Sequence, residues 1–274
     1  MNNLLRELAP ISSAAWEQIE AEAKRTLKVT LAARKVVDFS GPLGWETSAV
    51  GLGRVEKLRR TPDDGIEARL RSSQPLVELR VPFALSRDEL DSIGRGARDS
   101  DLASLQEAAR RIAMAEDGAV FHGYAAGGIR GMCEAGAASA LTIPGDYENY
   151  PAVVATAVSH LRQTGVAGPY AIALGPRCYT GLTRTLTRSG HLVIDFVRRM
   201  LDGPIVWAPA VDGAAVVSLR GGDFELVAGQ DFSIGYLDHT ATEVRLYLQE
   251  SFTFRALSPE AVVPLVYEAK GRRK

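Results

Sequence analysis

The chain has 274 residues, and 32 Lys and Arg against 33 Asp and Glu give it a formal net charge of −1. Hydrophobic residues make up 46% and charged residues 24%, a globular composition that excludes a disordered protein, a collagen and a coiled-coil rod. The balanced charge also argues against dedicated nucleic-acid binding, which needs a strongly basic face. The length allows one large domain or two smaller ones.

The sequence also bears on the compartment. Its two cysteines, Cys133 and Cys178, are too few for a disulfide framework, which favours a reducing cytoplasm. The first seven residues place a charged pair where a secretory signal needs apolar residues, and the longest run of small apolar residues, 152–158, is far too short to span a bilayer. We expect a soluble cytoplasmic protein without a membrane partner, ending in a basic, solvated stretch at 270–274.

The first predicted element is a helix that begins at Ser12 or Ser13, since either side chain is a good N-cap. Apolar residues then recur at three- and four-residue steps and form one stripe. Such a stripe packs in the core or, this close to a terminus, covers a partner. Its members are Trp16, Ile19, Ala23, Leu27 and Leu31.

Two extended stretches, 50–58 and 66–70, flank a turn that contains Pro62 and Gly65. Both stretches carry charges, and together they predict a two-stranded arm. An isolated ribbon with so few apolar side chains is marginal in water. We therefore expect the arm to lie across the body of the protein or across another subunit.

A strand at 75–81 is followed by the strongest helix pattern, which runs from Asp101 to about Tyr124. Short helices and strands then alternate, with a helix that begins near Pro151 and ends near Gly165. The remaining predictions are strands at 170–174 and 205–207, helices at 177–186 and 193–201, a hairpin of 214–219 and 223–227 about Gly221-Gly222, and a long strand at 244–254.

Motifs for catalysis are missing from the sequence. Metal-ligand spacings, phosphate or dinucleotide loops and a nucleophile elbow do not occur, and the four histidines are scattered. Glu116 and Asp117 interrupt the apolar stripe of the long helix, and ion pairing or capping explains them better than acid–base catalysis. The residues alone predict a mixed α/β protein that is not an enzyme and holds no metal.

Ordered blocks along the chain nevertheless resemble one family, the type 1 encapsulin shell proteins, also called the linocin-like bacteriocin family. Each block is weak alone, and their ordered combination is specific. They are Leu8-Ala9-Pro10 with Trp16 and Ile19, Arg34-Lys35-Val36-Val37-Asp38, Gly41-Pro42-Leu43-Gly44-Trp45, Pro75-Leu76-Val77-Glu78-Leu79-Arg80, Glu116-Asp117 with Phe121 and Gly123, Gly168-Pro169-Tyr170, 220–224, 229–236 and 250–254.

The resemblance implies an α+β fold, that of the major capsid proteins of tailed phages (Hong Kong 97-like). The domains that it implies are a peripheral domain (1–48, 75–134 and 220–256), an extended arm (49–74), an axial domain (135–219) and a C-terminal tail (257–274).

The implied function is structural. Such chains self-assemble into an icosahedral bacterial nanocompartment, here of about sixty copies, which encloses a cargo enzyme that carries a C-terminal targeting peptide. The implied cargo is a ferritin-like iron oxidase or a dye-decolourising peroxidase, for iron storage or oxidative-stress defence. A phage or prophage capsid protein and a hydrolase are the alternatives. Some encapsulins hold a flavin against a Trp, but residues 83–90 contain none, so we expect no cofactor.

The resemblance also implies two sites. An apolar and charged groove would bind the cargo peptide, although an ordinary core stripe with an internal Arg–Asp salt bridge explains the same residues. It would consist of Leu27, Leu31, Arg34, Val37, Asp38, Asp231, Phe232 and Ser233. A five-fold pore would be lined by side chains, or by the glycine backbone alone, from the loop Arg188, Ser189, Gly190 and His191.

Overall fold

The computed structural model describes residues 3–268, so the basic stretch predicted to be solvated, 270–274, lies outside the described residues. Within that range the helices are α1 Ser13–Thr30, α2 Arg87–Gly94, α3 Ala103–His122, α4 Met132–Ala135, α5 Tyr150–Gln163, α6 Pro176–Arg184 and α7 Val193–Met200. The strands are β1 Asp38–Ser40, β2 Ala49–Lys57, β3 Arg69–Pro75, β4 Val77–Ser86, β5 Leu141–Thr142, β6 Tyr170–Leu174, β7 Ile205–Trp207, β8 Ala214–Ser218, β9 Phe224–Ala228, β10 Ser233–His239, β11 Glu243–Ala256 and β12 Val262–Val266.

These strands form two sheets and a ribbon. In the first sheet β11 is central: β4 and β10 flank its first half, β9 flanks its second half, and β1 runs parallel to β9 at the edge. The second sheet has the order β5-β12-β8-β6-β7. The ribbon pairs β2 with β3 in antiparallel register.

Helix α1 begins where the sequence predicts. The Ser12 side chain accepts a hydrogen bond from the backbone N–H of Ala15 at 3.2 Å, which caps the first turn. The apolar stripe faces inward, with Ile19 and Leu27 buried against α3 and the first sheet. The predicted amphipathic helix is therefore confirmed, and most of its stripe is core.

Helix α3 is the predicted long helix, with slightly tighter ends. The Asp101 carboxylate accepts from the N–H of Ala103 at 2.9 Å, so the helix begins two residues after Asp101. It ends at His122 because Gly123 takes a φ of +93°. At about 1.5 Å per residue its 20 residues are about 30 Å long. It packs on α1 and β4 and joins the two halves of the core.

The sequence predicts a hairpin of 214–219 and 223–227, and this prediction is wrong. The two glycines of the turn do take the left-handed conformation, with φ of +82° at Gly221 and +79° at Gly222. However, β8 lies in the second sheet and β9 in the first. The turn therefore carries the chain from one sheet to the other instead of folding a strand back on its neighbour.

The second sheet contains a strand from the predicted tail. Strand β12 pairs with β8 on one side and with β5 on the other, and its Val262, Val263 and Leu265 are fully buried. The prediction of a tail from residue 257 is therefore wrong for the described part of that segment. Strands β6 and β8 are buried throughout, and α5, α6 and α7 pack together beside them.

The ribbon is exposed along most of its length. Its second strand, β3, begins three residues later than the predicted stretch at 66–70, and a register shift lies between Gly51 and Val55. Large apolar side chains are exposed along it, including Val55 at 52% and Leu70 at 57%. These side chains have no packing layer within the described chain.

A buried carboxylate anchors the segment after α1. Both oxygens of Asp117 on α3 accept hydrogen bonds, from the N–H of Ala32 at 2.8 Å and from the N–H of Ala33 at 2.9 Å. Burial raises the pKa of Asp117 to about 7, although the two N–H donors act in the opposite direction. The capping role predicted for this acidic pair is confirmed at Asp117.

We expect Asp117→Asn to destabilise the protein, because its NH₂ group would face one of two buried N–H donors. An unsatisfied buried donor costs about 1–3 kcal/mol. The measurement is the apparent unfolding midpoint by tryptophan fluorescence. Glu107→Gln is the control, since Glu107 is exposed on the same helix and pairs with Arg110. Equal midpoints for the two variants would contradict the anchoring role.

Candidate functional site

A groove runs between α1 and the first sheet. Its volume is about 520 Å³. Leu27 of α1 and Leu31, the residue directly after α1, form one wall, and Ile234 and Leu248 of the sheet form the floor. The full lining is Leu4, Arg6, Glu20, Ala23, Lys24, Leu27, Lys28, Leu31, Asp231, Phe232, Ser233, Ile234 and Leu248.

Charged side chains surround this apolar floor. Arg6 pairs with Glu20 at 2.5 Å, and its guanidinium also lies 4.1 Å from the centre of the Trp16 ring. Lys24 and Lys28 are exposed along the α1 side, and Asp231 marks the opposite side. A shallow apolar trough with a charged rim suits an extended peptide that carries apolar anchors.

The chain's own N-terminal segment closes one end of the groove. The backbone N–H of Tyr236 in β10 donates to the carbonyl of Leu4 at 2.8 Å, and the Tyr247 hydroxyl donates to the carbonyl of Asn3 at 3.2 Å. Leu5 takes a φ of +50°, an uncommon conformation for a residue with a side chain, and turns the chain back towards α1. No pattern in the sequence indicates this contact.

The structure divides the predicted groove residues between two cavities. Five of them line the groove, namely Leu27, Leu31, Asp231, Phe232 and Ser233. The other three, Arg34, Val37 and Asp38, line an adjacent cavity of about 210 Å³ at the Gly221 turn. Asp38 shares this smaller cavity with Arg34, and its carboxylate accepts from the Gly222 N–H at 2.6 Å.

Arg34 connects the two cavities. Its Nη1 donates to the Asp231 carboxylate at 2.7 Å, and its Nε donates to Glu116 at 2.9 Å. Its guanidinium also lies between two aromatic rings, 4.7 Å from the centre of Phe39 and 4.5 Å from that of Phe232. The internal Arg34–Asp231 salt bridge is thus present, and it fixes two residues of the groove lining.

The charges behind the groove are almost completely buried. Glu116 and Glu250 have side-chain exposures of 0% and 1%, beside 17% for Arg34. Burial acts to lower the pKa of Arg34. Glu116 and then Asp231 act in the opposite direction and together outweigh burial, so the pKa of Arg34 is higher than usual. Burial, and then the charge of Glu116, raise the pKa of Glu250 well above its ordinary value.

Glu250 is a buried charged residue behind the groove that the sequence analysis missed. It occupies one position on the apolar face of β11, between Leu248 and Phe252. A carboxyl on such a face needs a nearby cation or a proton, and the Arg34 guanidinium lies 3.4 Å from the Glu250 carboxyl. The break in the apolar alternation was therefore an available signal.

The predicted pore loop, residues 188–191, connects α6 to α7. A hydrogen bond from the Thr187 N–H to the His191 carbonyl, at 2.8 Å, closes the loop. Gly190 turns the chain with a φ of +80°. The Arg188 side chain is 96% exposed. The loop belongs to the second-sheet half of the chain and shares no residue with the groove lining.

Across residues 3–268, the acidic, histidine and cysteine side chains form no group of three or more that would hold a metal ion. No helix within the same residues is long and apolar enough to cross a membrane.

Comparison of solved structures identifies the fold. A virus-like particle from Pyrococcus furiosus superimposes with a TM-score of 0.63 at 16% identity, covering 91% of this chain and 98% of that one. The capsid of Myoviridae phage XM1 gives a TM-score of 0.52 at 12% identity, covering 84% and 89%. The predicted α+β fold of tailed-phage major capsid proteins is confirmed.

Comparison of sequences identifies the family. The model for an encapsulating protein for peroxidase matches residues 1–253. A type 1 encapsulin shell protein from Rhodospirillum rubrum is 57% identical over 270 residues, which cover 97% of this chain and 96% of that protein. The match extends over both sheets, the ribbon and the groove. The chain therefore belongs to the family of type 1 encapsulin shell proteins.

Proposed function

We propose that this shell protein assembles with copies of itself into a closed icosahedral compartment of about sixty subunits, which encloses a guest enzyme. The match to shell proteins along nearly the whole chain is the observation that carries this proposal. It favours a shell over the two alternatives, a phage or prophage capsid protein and a hydrolase. The compartment is cytoplasmic and bacterial, and the shell itself has no catalytic role and needs no cofactor.

The ribbon supports self-assembly on physical grounds. It pairs only β2 with β3 among the described strands, and it exposes Leu52, Val55 and Leu70 to solvent. Free strand edges beside apolar side chains are normally covered by another chain. In a closed symmetric shell each copy both covers a neighbour and is covered by one, so a modest contact is repeated throughout the particle.

The guest is a ferritin-like iron oxidase or a dye-decolourising peroxidase, and its setting is iron storage or defence against oxidative stress. The family's description as an encapsulating protein for peroxidase supports the second guest class. The groove receives the guest's C-terminal targeting peptide, with apolar anchors on Leu27, Leu31 and Phe232. A multimeric guest engages several equivalent grooves, so weak contacts add up through avidity.

The loop of Arg188, Ser189, Gly190 and His191 forms the five-fold pore in this proposal. Five copies of the exposed Arg188 would then surround one channel, where like charges concentrate the field. Outward-turned side chains, which leave the Gly190 backbone to line the opening, are the competing arrangement.

The first prediction concerns the ribbon. The intact chain should elute as a particle of megadalton mass, and deletion of residues 55–70 should give smaller species or aggregate, because the neighbour loses its covering strands. The measurement is size-exclusion chromatography with light scattering. The control is Asp63→Ser with Asp64→Ser at the exposed turn, which should still assemble. A well-folded monomer from the intact chain would refute the shell proposal.

The second prediction concerns the groove. Leu27→Ala with Leu31→Ala should reduce guest loading to less than about half, because one wall loses its apolar contacts in every groove. The control is Val29→Ala, which lies on the exposed side of the same helix. Loading is measured as guest per shell after co-expression, on particles of unchanged mass. A loss of loading with Asp38→Ala alone would instead place the peptide in the smaller cavity.

The third prediction concerns the pore. Arg188→Glu with His191→Ala reverses the charge of the proposed ring, so anions should enter the shell more slowly and cations faster. Entry is followed by stopped-flow quenching of an encapsulated fluorophore with iodide and with thallium(I). Arg98→Glu is the control. Unchanged entry rates for both ions would leave the backbone of Gly190 as the pore lining.

A further inference from the structure

A third cavity lies on the second-sheet half of the chain, along α6. Its volume is about 560 Å³. It shares no lining residue with the groove or with the cavity at the Gly221 turn. Its lining is Tyr147, Pro176, Arg177, Thr180, Gly181, Arg184 and Thr185.

The charge of this cavity has one sign. Arg177 and Arg184 are its charged lining residues, and both are exposed. A spacing of seven residues places them on one face of α6, about 10 Å apart along the helix. Within the described residues neither guanidinium forms an ion pair. Among the described residues, the lining of this cavity therefore has two cations without an ion-pair partner and no carboxylate.

Hydroxyl groups lie between and beside the two arginines. Thr180 is exposed on the same helical face, and Thr185 follows directly after α6. The positive end of the α6 dipole, at Pro176, adds to the potential on the Arg177 side. Guanidinium and hydroxyl donors in this arrangement are suited to oxyanions.

One wall of the cavity is rigid before any ligand arrives. A Cβ on Gly181 would lie 2.5 Å from the Tyr147 ring, so the ring packs directly on the helix backbone. The Tyr147 hydroxyl lies 2.8 Å from that of Tyr267. The guanidinium carbon of Arg177 in turn lies 3.9 Å from the centre of the Tyr267 ring. Arg177 is therefore positioned by stacking, which reduces the entropy lost on binding.

We propose that this cavity is a binding site for a small, multiply charged oxyanion of the pyrophosphate class. Two separated guanidiniums are satisfied by two linked anionic groups better than by a single monovalent ion. The site is independent of guest binding, since it lies outside the groove. A free phosphate compound and a carboxylate of a second copy could both supply anionic oxygens, and the test distinguishes them.

The test is calorimetric titration of the assembled shell with inorganic pyrophosphate at low ionic strength, with inorganic phosphate as the comparison probe. We expect one pyrophosphate per chain, tighter binding than phosphate, and weaker binding in high salt. Arg177→Gln with Arg184→Gln should weaken pyrophosphate binding by at least about tenfold at unchanged particle mass. The matched control, Arg110→Gln with Arg198→Gln, removes two exposed arginines that already have carboxylate partners and should bind normally.

Three results would overturn the proposal. The first is a wild-type shell that does not bind pyrophosphate. The second is equal weakening in the control variant, which would show a response to net charge alone. The third combines two observations: the variant without both cavity arginines loses its assembled mass, and Thr180→Val binds pyrophosphate with unchanged affinity. That result would assign the arginines to a contact between copies.

Discussion

A single guanidinium, that of Arg34, holds together the part of the molecule on which the groove depends. It draws the segment after α1 against Glu116 of α3 and reaches Glu250 of the central strand. Burying such carboxyls is costly unless a cation or a proton compensates them, and breaking a buried pair leaves a penalty of about 3–5 kcal/mol. The relative positions of α1, α3 and the first sheet therefore depend on one side chain, whose charge is balanced by carboxyl groups of the same chain.

The same interaction shapes the functional surface. Because Arg34 also binds Asp231 and lies against Phe232, the charge network of the core determines how these two residues line the groove. Asp117, the next residue of α3, holds the backbone at Ala32 and Ala33 just after the groove wall ends. Two adjacent acidic residues thus serve one purpose, which is to fix the end of α1 relative to the sheet.

Local signals in the sequence predicted most single elements. The Ser12 cap, the α1 stripe and the start of the long helix near Asp101 depend on a few residues each, and each lies close to its expected place. Sheet partnership is not a local property. The Gly221-Gly222 turn has hairpin chemistry, yet the partners of β8 are β6 and β12, which lie about 45 residues away in either direction.

The candidate site shows the same limit. Arg34 and Asp38 are four residues apart, but Arg34 lies in a 3-10 turn and Asp38 begins β1, so they share no helical face. Leu4 closes the groove through a contact with Tyr236, more than two hundred residues away, which no spacing rule reaches. The groove residues carried over from the family resemblance divide between two cavities, and the Arg34–Asp231 ion pair joins one cavity to the other.

The position of β12 has a consequence for biosynthesis. This strand lies inside the second sheet, so β5 and β8 each have an open edge until residues 262–266 have left the ribosome. Pairing between segments so distant along the chain forms late, after the loop between them has closed. A nascent chain would therefore keep half of its body unfinished while the ribbon is already exposed. Contact between neighbouring chains would then wait until β12 has been synthesised and the second sheet is complete.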